Sequence, residues 1–152
     1  MRTDEVLFLD TNVLVYAVDE RSPFNPKATR FIERINAGDF RVCLSPQVMG
    51  ELYSTITNPR KSTKPCSPGE AVQIVRGFWE ADNIQKVYPN EATLDLTLDL
   101  VQRYRIKAMD FFDAQIVATM LENGVGTIYT VNGEDFSKFE EIEAINPFVG
   151  EE

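Results

Sequence analysis

Apolar and polar positions along this chain fall into short blocks whose period switches between strand-like and helix-like. Val6-Leu7-Phe8-Leu9 is a continuous apolar run, the pattern of a strand buried on both faces. Asn12 is placed to cap a helix through Val18, and Arg21 to Pro26, with its two prolines, reads as a loop. Ala28, Phe31, Ile32 and Ile35 follow helical spacing up to a stop at Gly38, and Phe40 to Leu44 reads as a second strand. Ser45-Pro46 then supplies a capping hydroxyl and a proline at the first helical position, which predicts a helix through about Thr57. Asn58 to Pro65 is a polar loop. Ser67-Pro68-Gly69-Glu70 has capping-box spacing and opens a helix expected to bury Val72, Val75, Phe78 and Trp79.

Later blocks repeat the alternation. Ile84 to Tyr88 reads as a short strand, and Leu94, Leu98 and Val101 mark the apolar face of a helix. Asp110 is placed to cap the next helix, whose face is Phe112, Ile116, Val117, Met120 and Leu121, ending at Asn123-Gly124. Thr127 to Val131 is a further strand, with one more around Ile145. Strands alternating with helices predict an α/β sandwich around a mainly parallel sheet, with right-handed crossovers. The stretch 45–105 carries three helices with little strand between them and reads as a helical insertion within a single domain spanning 1–152. No segment repeats.

Composition narrows the chemistry. With no histidine in 152 residues, a Ser–His–Asp triad, a Cys–His dyad and a histidine zinc site are excluded. The two cysteines, Cys43 and Cys66, form no CxxC pair and suit a reducing cytoplasm. Arg2, Asp4 and Glu5 precede only four apolar residues before Asp10, so no signal-peptide core is expected. The interrupted run from Val6 to Val18 is too short to span a bilayer. A soluble cytoplasmic protein is the expectation. A net charge of −9 argues against a general nucleic-acid binder but suits a protein that gathers carboxylates around a cation.

The acids fall where such a cluster needs them. In an open parallel sheet, function collects beyond the carboxyl ends of the strands. Asp10 directly follows the first strand, and Asn132 and Asp135 follow the strand Thr127–Val131. Asp113 stands in the first turn of its helix, and Glu51 about a turn and a half into the helix after the second strand. Each has a plainer reading alone: a turn at Asp10-Thr11, a helix-dipole contact at Asp113, a solvated face at Glu51. Clustered carboxylates repel unless a cation neutralises them, and oxygen-only ligands favour magnesium or manganese. The chemistry predicted is metal-assisted hydrolysis of a phosphodiester.

The motifs that carry these acids resemble those of PIN domains, and within them VapC-type toxins of toxin–antitoxin pairs. They are Phe8-Leu9-Asp10-Thr11-Asn12-Val13-Leu14, Ser45-Pro46-Gln47-Val48-Met49-Gly50-Glu51-Leu52, Asp113-Ala114-Gln115-Ile116-Val117-Ala118 and Thr130-Val131-Asn132-Gly133-Glu134-Asp135-Phe136. The resemblance covers nearly the whole chain and implies a three-layer sandwich. It also implies that Asp10, Glu51 and Asp113 bind the metal, with Asp135 completing the catalytic acids and Thr11, Asn12, Thr130 and Asn132 in support. The fourth position is left between Asn132 and Asp135. A homodimer, an endoribonuclease leaving a 5′-phosphate, and inhibition by a small antitoxin are further implications.

RNA would have to approach an acidic protein. Arg60, Lys61 and Lys64, and Arg103, Arg105 and Lys107, are candidate backbone guides, though scattered solvated charge explains them equally. Two rival functions stand beside the nuclease. One is an RNA-binding module of the same fold without catalysis, which the presence of Asp10, Glu51 and Asp113 disfavours. The other is a phosphatase-like domain in which Asp10 attacks phosphorus; such sites usually need a second acid close by, which Asp10-Thr11-Asn12 lacks, or a lysine near the late strand, and Lys138 lies several residues beyond its end.

Overall fold

The computed structural model describes residues 5–149. β1 (Val6–Leu9), β2 (Arg41–Leu44), β3 (Ile84–Lys86), β4 (Thr127–Tyr129) and β5 (Glu143–Ile145) form one sheet in the order β3-β2-β1-β4-β5. Every pairing is parallel. Leu7, Phe8 and Leu9 on β1 are all buried, as are Val42, Cys43 and Leu44 on β2, so layers cover both faces of the sheet.

Six helices supply those layers: α1 (Thr11–Val18), α2 (Asn25–Asn36), α3 (Pro46–Thr57), α4 (Pro68–Trp79), α5 (Thr93–Tyr104) and α6 (Phe111–Glu122). The chain steps from β1 to β2 to β3 in one direction, then jumps back past β1 to β4. Right-handed crossovers therefore put α1 to α4 on one face and α5 with α6 on the other. The packing agrees: α1 contacts α2 and α3, α3 contacts α4, and α5 contacts α6. Asn90, just before α5, donates to Glu122 at the end of α6 at 3.4 Å, so these two helices run antiparallel. The expected three-layer sandwich is present, and the buried apolar residues form one continuous cluster.

Several local expectations need correction. Asp10, not Asn12, caps α1, its Oδ1 accepting from the Thr11 N–H at 2.8 Å. Asp110 stands at the N-cap position of α6 but ends a 3-10 turn (Ala108–Asp110) and makes no side-chain cap bond. The stretch 45–105 is no insertion, because β3 lies within it and pairs with β2. On α4 only Ala71 is fully buried, and Val72 is 42% exposed. On α5 the buried face is Thr93, Thr97 and Leu100, while Leu94 and Leu98 are 58% and 47% exposed. Burying threonine there leaves no lone hydroxyl, since Thr97 donates to the Thr93 carbonyl at 2.7 Å. Ser45 and Ser67 cap α3 and α4 as expected, and Ser67 with Glu70 closes a full capping box. Among the described residues, no helix is long and apolar enough to cross a membrane.

Candidate active site

The strand order reverses between β1 and β4, and a crevice opens beyond the carboxyl ends of those two strands. The Asp10 N–H donates to the Tyr129 carbonyl at 3.0 Å, carrying the β1–β4 ladder one residue past the strands. That bond seats Asp10 and Thr130 side by side in the crevice. Thr130 Oγ1 donates to Asp10 Oδ2 at 2.8 Å, and Asn12 Nδ2 reaches the same oxygen at 3.2 Å. Asn12 is committed on its other end too, its Oδ1 accepting from the Val131 N–H at 3.2 Å. Asn12 thus ties α1 to the end of β4, which explains why it does not serve as the cap. Thr130 Oγ1 also accepts from the Asn132 N–H at 3.0 Å.

The second acid enters from α3. Thr11 Oγ1 donates to Glu51 Oε1 at 2.8 Å, so adjacent residues after β1 anchor both Asp10 and Glu51. Gln47, one turn earlier on α3, donates to Glu51 Oε2 at 3.0 Å. Sequence reasoning passed over Gln47, although i,i+4 spacing from Glu51 on a helix was a usable signal. Gln115 on α6 was passed over as well; it donates to Gln47 Oε1 at 2.7 Å.

Asp113 and Asp135 approach from the other side. Asp113 lies in the first turn of α6, and Asp135 in a 3-10 turn (Gly133–Asp135) after β4. Phe136 and Phe139 are buried and pin this connection, which places Asp135 and Lys138 beside the crevice. Burial and the negative charges of Asp135, Asp10 and Asp110 push the Asp113 carboxyl up to about 7, with Lys138 partly opposing them. Asp10, only 8% exposed, is also held above the ordinary carboxylate range. Burial is the chief cause, with Glu51 and Asp135 adding to it and the hydrogen bonds from Thr130 and Thr11 working against it.

All four predicted acids therefore meet at one rim, Asp135 on its exposed side. Thr11, Asn12 and Thr130 touch them directly, whereas the side chain of Asn132 is exposed and only its N–H engages Thr130. Among the described residues, no three acids are drawn closely enough to form a ready cage for a metal ion. Carboxylates gathered this way repel one another unless a cation neutralises them. The donor set, carboxylates with neutral oxygens and neither imidazole nor thiolate, fits a hard divalent ion. The buried Cys43 thiol is pushed up to about 12 and offers no nucleophile.

The basic candidates fare differently. Lys61 and Lys64 line a cleft of about 500 Å³ together with Val18, Asp19 and Glu70. That cleft lies at the far end of α1, which begins at Thr11, next to Asp10, and runs about 12 Å at 1.5 Å per residue. Arg60 belongs to the same loop and is exposed. Arg103 is paired with Glu141 at 2.5 Å, and Arg105 and Lys107 are exposed. Lys138 is the cation that bears on Asp113.

Known proteins share this fold. The PIN domain family model matches residues 7–142. Ribonuclease VapC48 of Mycobacterium tuberculosis is 31% identical over 142 residues, covering 93% of this chain and 97% of that protein. Among solved structures, VapC20 of Mycobacterium tuberculosis, described as a sarcin-ricin loop cleaving toxin, superposes with a TM-score of 0.66 at 18% identity. The match covers 90% of this chain and 98% of that one. A toxin–antitoxin complex from Klebsiella pneumoniae matches with a TM-score of 0.60 at 18% identity, over 93% and 98% of the two chains. A match across nearly the whole sheet and its acid-bearing helices decides the family: this chain belongs to the PIN domain family.

Proposed function

We propose that this chain is a VapC-type endoribonuclease, the toxin of a toxin–antitoxin pair, which hydrolyses RNA with magnesium or manganese held by Asp10, Glu51 and Asp113. The observation that carries this is the convergence of four acids from distant segments on the β1–β4 crevice, with Asp10 and Asp113 held above the ordinary carboxylate range. The naming of VapC48 as a ribonuclease, at 31% identity across almost the full length, supports the same reading.

Each residue has a part in it. Thr130 and Asn12 fix the aim of Asp10, and Thr11 fixes that of Glu51. Asp113, pushed up to about 7 by burial and its acidic neighbours, would ionise as a divalent ion binds beside it. Asp135 extends the acid rim toward solvent, with Asn132 beside it. A bound divalent ion supplies a lowered pKa to water and offsets charge on the phosphoryl group. Lys138 meets the RNA backbone at the mouth of the crevice. A binding module would have no use for the repulsion stored among these acids, and Lys138 bears on Asp113 rather than on Asp10, as direct attack by Asp10 would require.

A small antitoxin and a second copy of the chain complete the reading. The toxin–antitoxin complex among the structural relatives supports the former, and the exposed Leu94, Leu98, Met109 and Phe112 supply apolar surface for association. The test is to induce the chain in cells and map new 5′ ends across the RNA pool, with Asp10→Asn as control. Discrete ends that appear only with the unaltered chain are expected; identical end profiles from both would refute the nuclease.

Salt dependence probes how the substrate is gripped. Lys61 and Lys64 lie at the far end of α1 and Arg103 is paired, so few phosphates are contacted. The slope of log affinity against log salt is then expected near −1, since each phosphate on a single strand contributes about −0.7. A slope steeper than about −3 would bring the Arg60–Lys64 loop back into the binding surface.

A further inference from the structure

A chain of neutral amides spans the gap between the helix that carries Glu51 and the helix that carries Asp113. Gln47 on α3 donates from Nε2 to Glu51 Oε2 and also to the main-chain oxygen of Phe112, the residue before Asp113, at 3.0 Å each. Gln115, two residues beyond Asp113 on α6, donates to Gln47 Oε1 at 2.7 Å. Both amide hydrogens of Gln47 and its carbonyl are thereby used. The orientation is forced, because a flipped amide would aim an acceptor at a carboxylate and a carbonyl.

We propose that Gln47, braced by Gln115, is a positioning residue that sets the spacing of Glu51 from Asp113, so that acids on two separate helices serve one cation. The proposal rests on the reading of the acid rim as a metal centre. Glu51 reaches the rim on a flexible side chain whose ordering costs entropy, and its two oxygens are each held by one neutral donor, Thr11 and Gln47. A lysine or arginine in place of Gln47 would hold the carboxylate as firmly but cancel the charge a cation needs. An acid there would push Glu51 away. The amide also grips the backbone beside Asp113, so α3 and α6 are located against each other at the rim and not merely through the sheet between them.

Manganese alone serves as the probe, titrated calorimetrically into chelator-stripped protein. The variants are Gln47→Met, Gln115→Met, the pair together and Asp10→Asn, with melting temperatures taken in chelator. Partners that orient metal ligands typically contribute about 10–100-fold in affinity, and Gln47→Met is expected to weaken manganese binding by that much. Gln115→Met should weaken it less, and the double variant no further than Gln47→Met, because Gln115 acts through Gln47. A role confined to folding would lower the melting temperature and leave manganese affinity unmoved. Binding by Gln47→Met within about twofold of the unaltered chain overturns the proposal, since outer partners of metal ligands otherwise show larger effects. Should Gln47→Met not fold, the same threshold applied to Gln115→Met decides. An unaltered chain that binds no manganese, indistinguishable from Asp10→Asn, defeats the metal centre itself and the positioning role with it.

Discussion

Asp10→Asn is expected to reduce RNA cleavage by about a thousandfold, because charge stabilisation by a catalytic cation amounts to several kcal/mol and each 1.36 kcal/mol is tenfold in rate. The fold should survive. Asp10 accepts from the Thr11 N–H on one oxygen and from Thr130 and Asn12 on the other. Asparagine keeps the shape but offers one oxygen only, so one side of that set meets an amide donor instead. Against this loss, the substitution removes a buried charge that Glu51 and Asp135 oppose. The two effects act in opposite directions on stability, whereas both the lost charge and the lost oxygen weaken a cation site. Single-turnover cleavage of a fixed RNA, with the melting temperature measured alongside, separates the outcomes. The exposed Asp82→Asn is the control for surface charge and should cut normally. Cleavage by Asp10→Asn at more than a tenth of the normal rate would remove Asp10 from the chemistry.

Much of this site was legible because its acids stand immediately after recognisable strands or caps. Val6 to Leu9 is an unbroken apolar run, which by itself puts Asp10 at the end of a buried strand. Ser45-Pro46 fixes where α3 starts, and so puts Glu51 near the same edge. What escaped depends on contacts between distant segments. Asn12 and Asp10 are equally good caps by residue type. The choice is made by Thr130 and Val131, roughly 120 positions away in the chain, which claim both ends of the Asn12 amide. Gln47 and Gln115 are 68 positions apart and ordinary as a sequence. Lys138 comes to Asp113 only because Phe136 and Phe139 are drawn into the core.

The helix faces failed for a different reason. Apolar spacing on α4 and α5 marked Val72, Leu94 and Leu98, yet these side chains remain exposed while Ala71, Thr93 and Thr97 are buried. Small residues let a helix sit close against its neighbour, and a threonine whose hydroxyl returns to its own helix is buried without penalty. Periodicity weighs a leucine above a threonine and cannot register that. Beside the active centre it also counted Phe112 as core, although its side chain is exposed and its carbonyl is what Gln47 holds.

The acids also tie stability to pH in a direction opposite to that of most carboxylates. Asp113 has its pKa raised on folding, from about 3.8 in the unfolded chain to about 7, and that of Asp10 is raised as well. Between those values the folded state holds a proton that the unfolded chain has released, so unfolding becomes easier as pH climbs. The contribution of Asp113 is complete below the unfolded value, fades as pH rises toward about 7, and is absent above it. In chelator, the melting temperature should therefore fall between about pH 4 and about pH 7 and level off above, at about 2–4 °C for each kcal/mol in a chain of this size. Asp113→Asn should flatten most of that slope. Saturating magnesium or manganese should remove the trend, because a cation favours the ionised carboxylates and stabilises only the folded state, by about 2.7 kcal/mol at a hundredfold over its dissociation constant. The gap between melting curves with and without metal would then widen as pH rises, and Asp10→Asn with Asp113→Asn would close it. A slope that persists unchanged in Asp113→Asn would mean that the repulsion at this rim is not what the fold has to overcome.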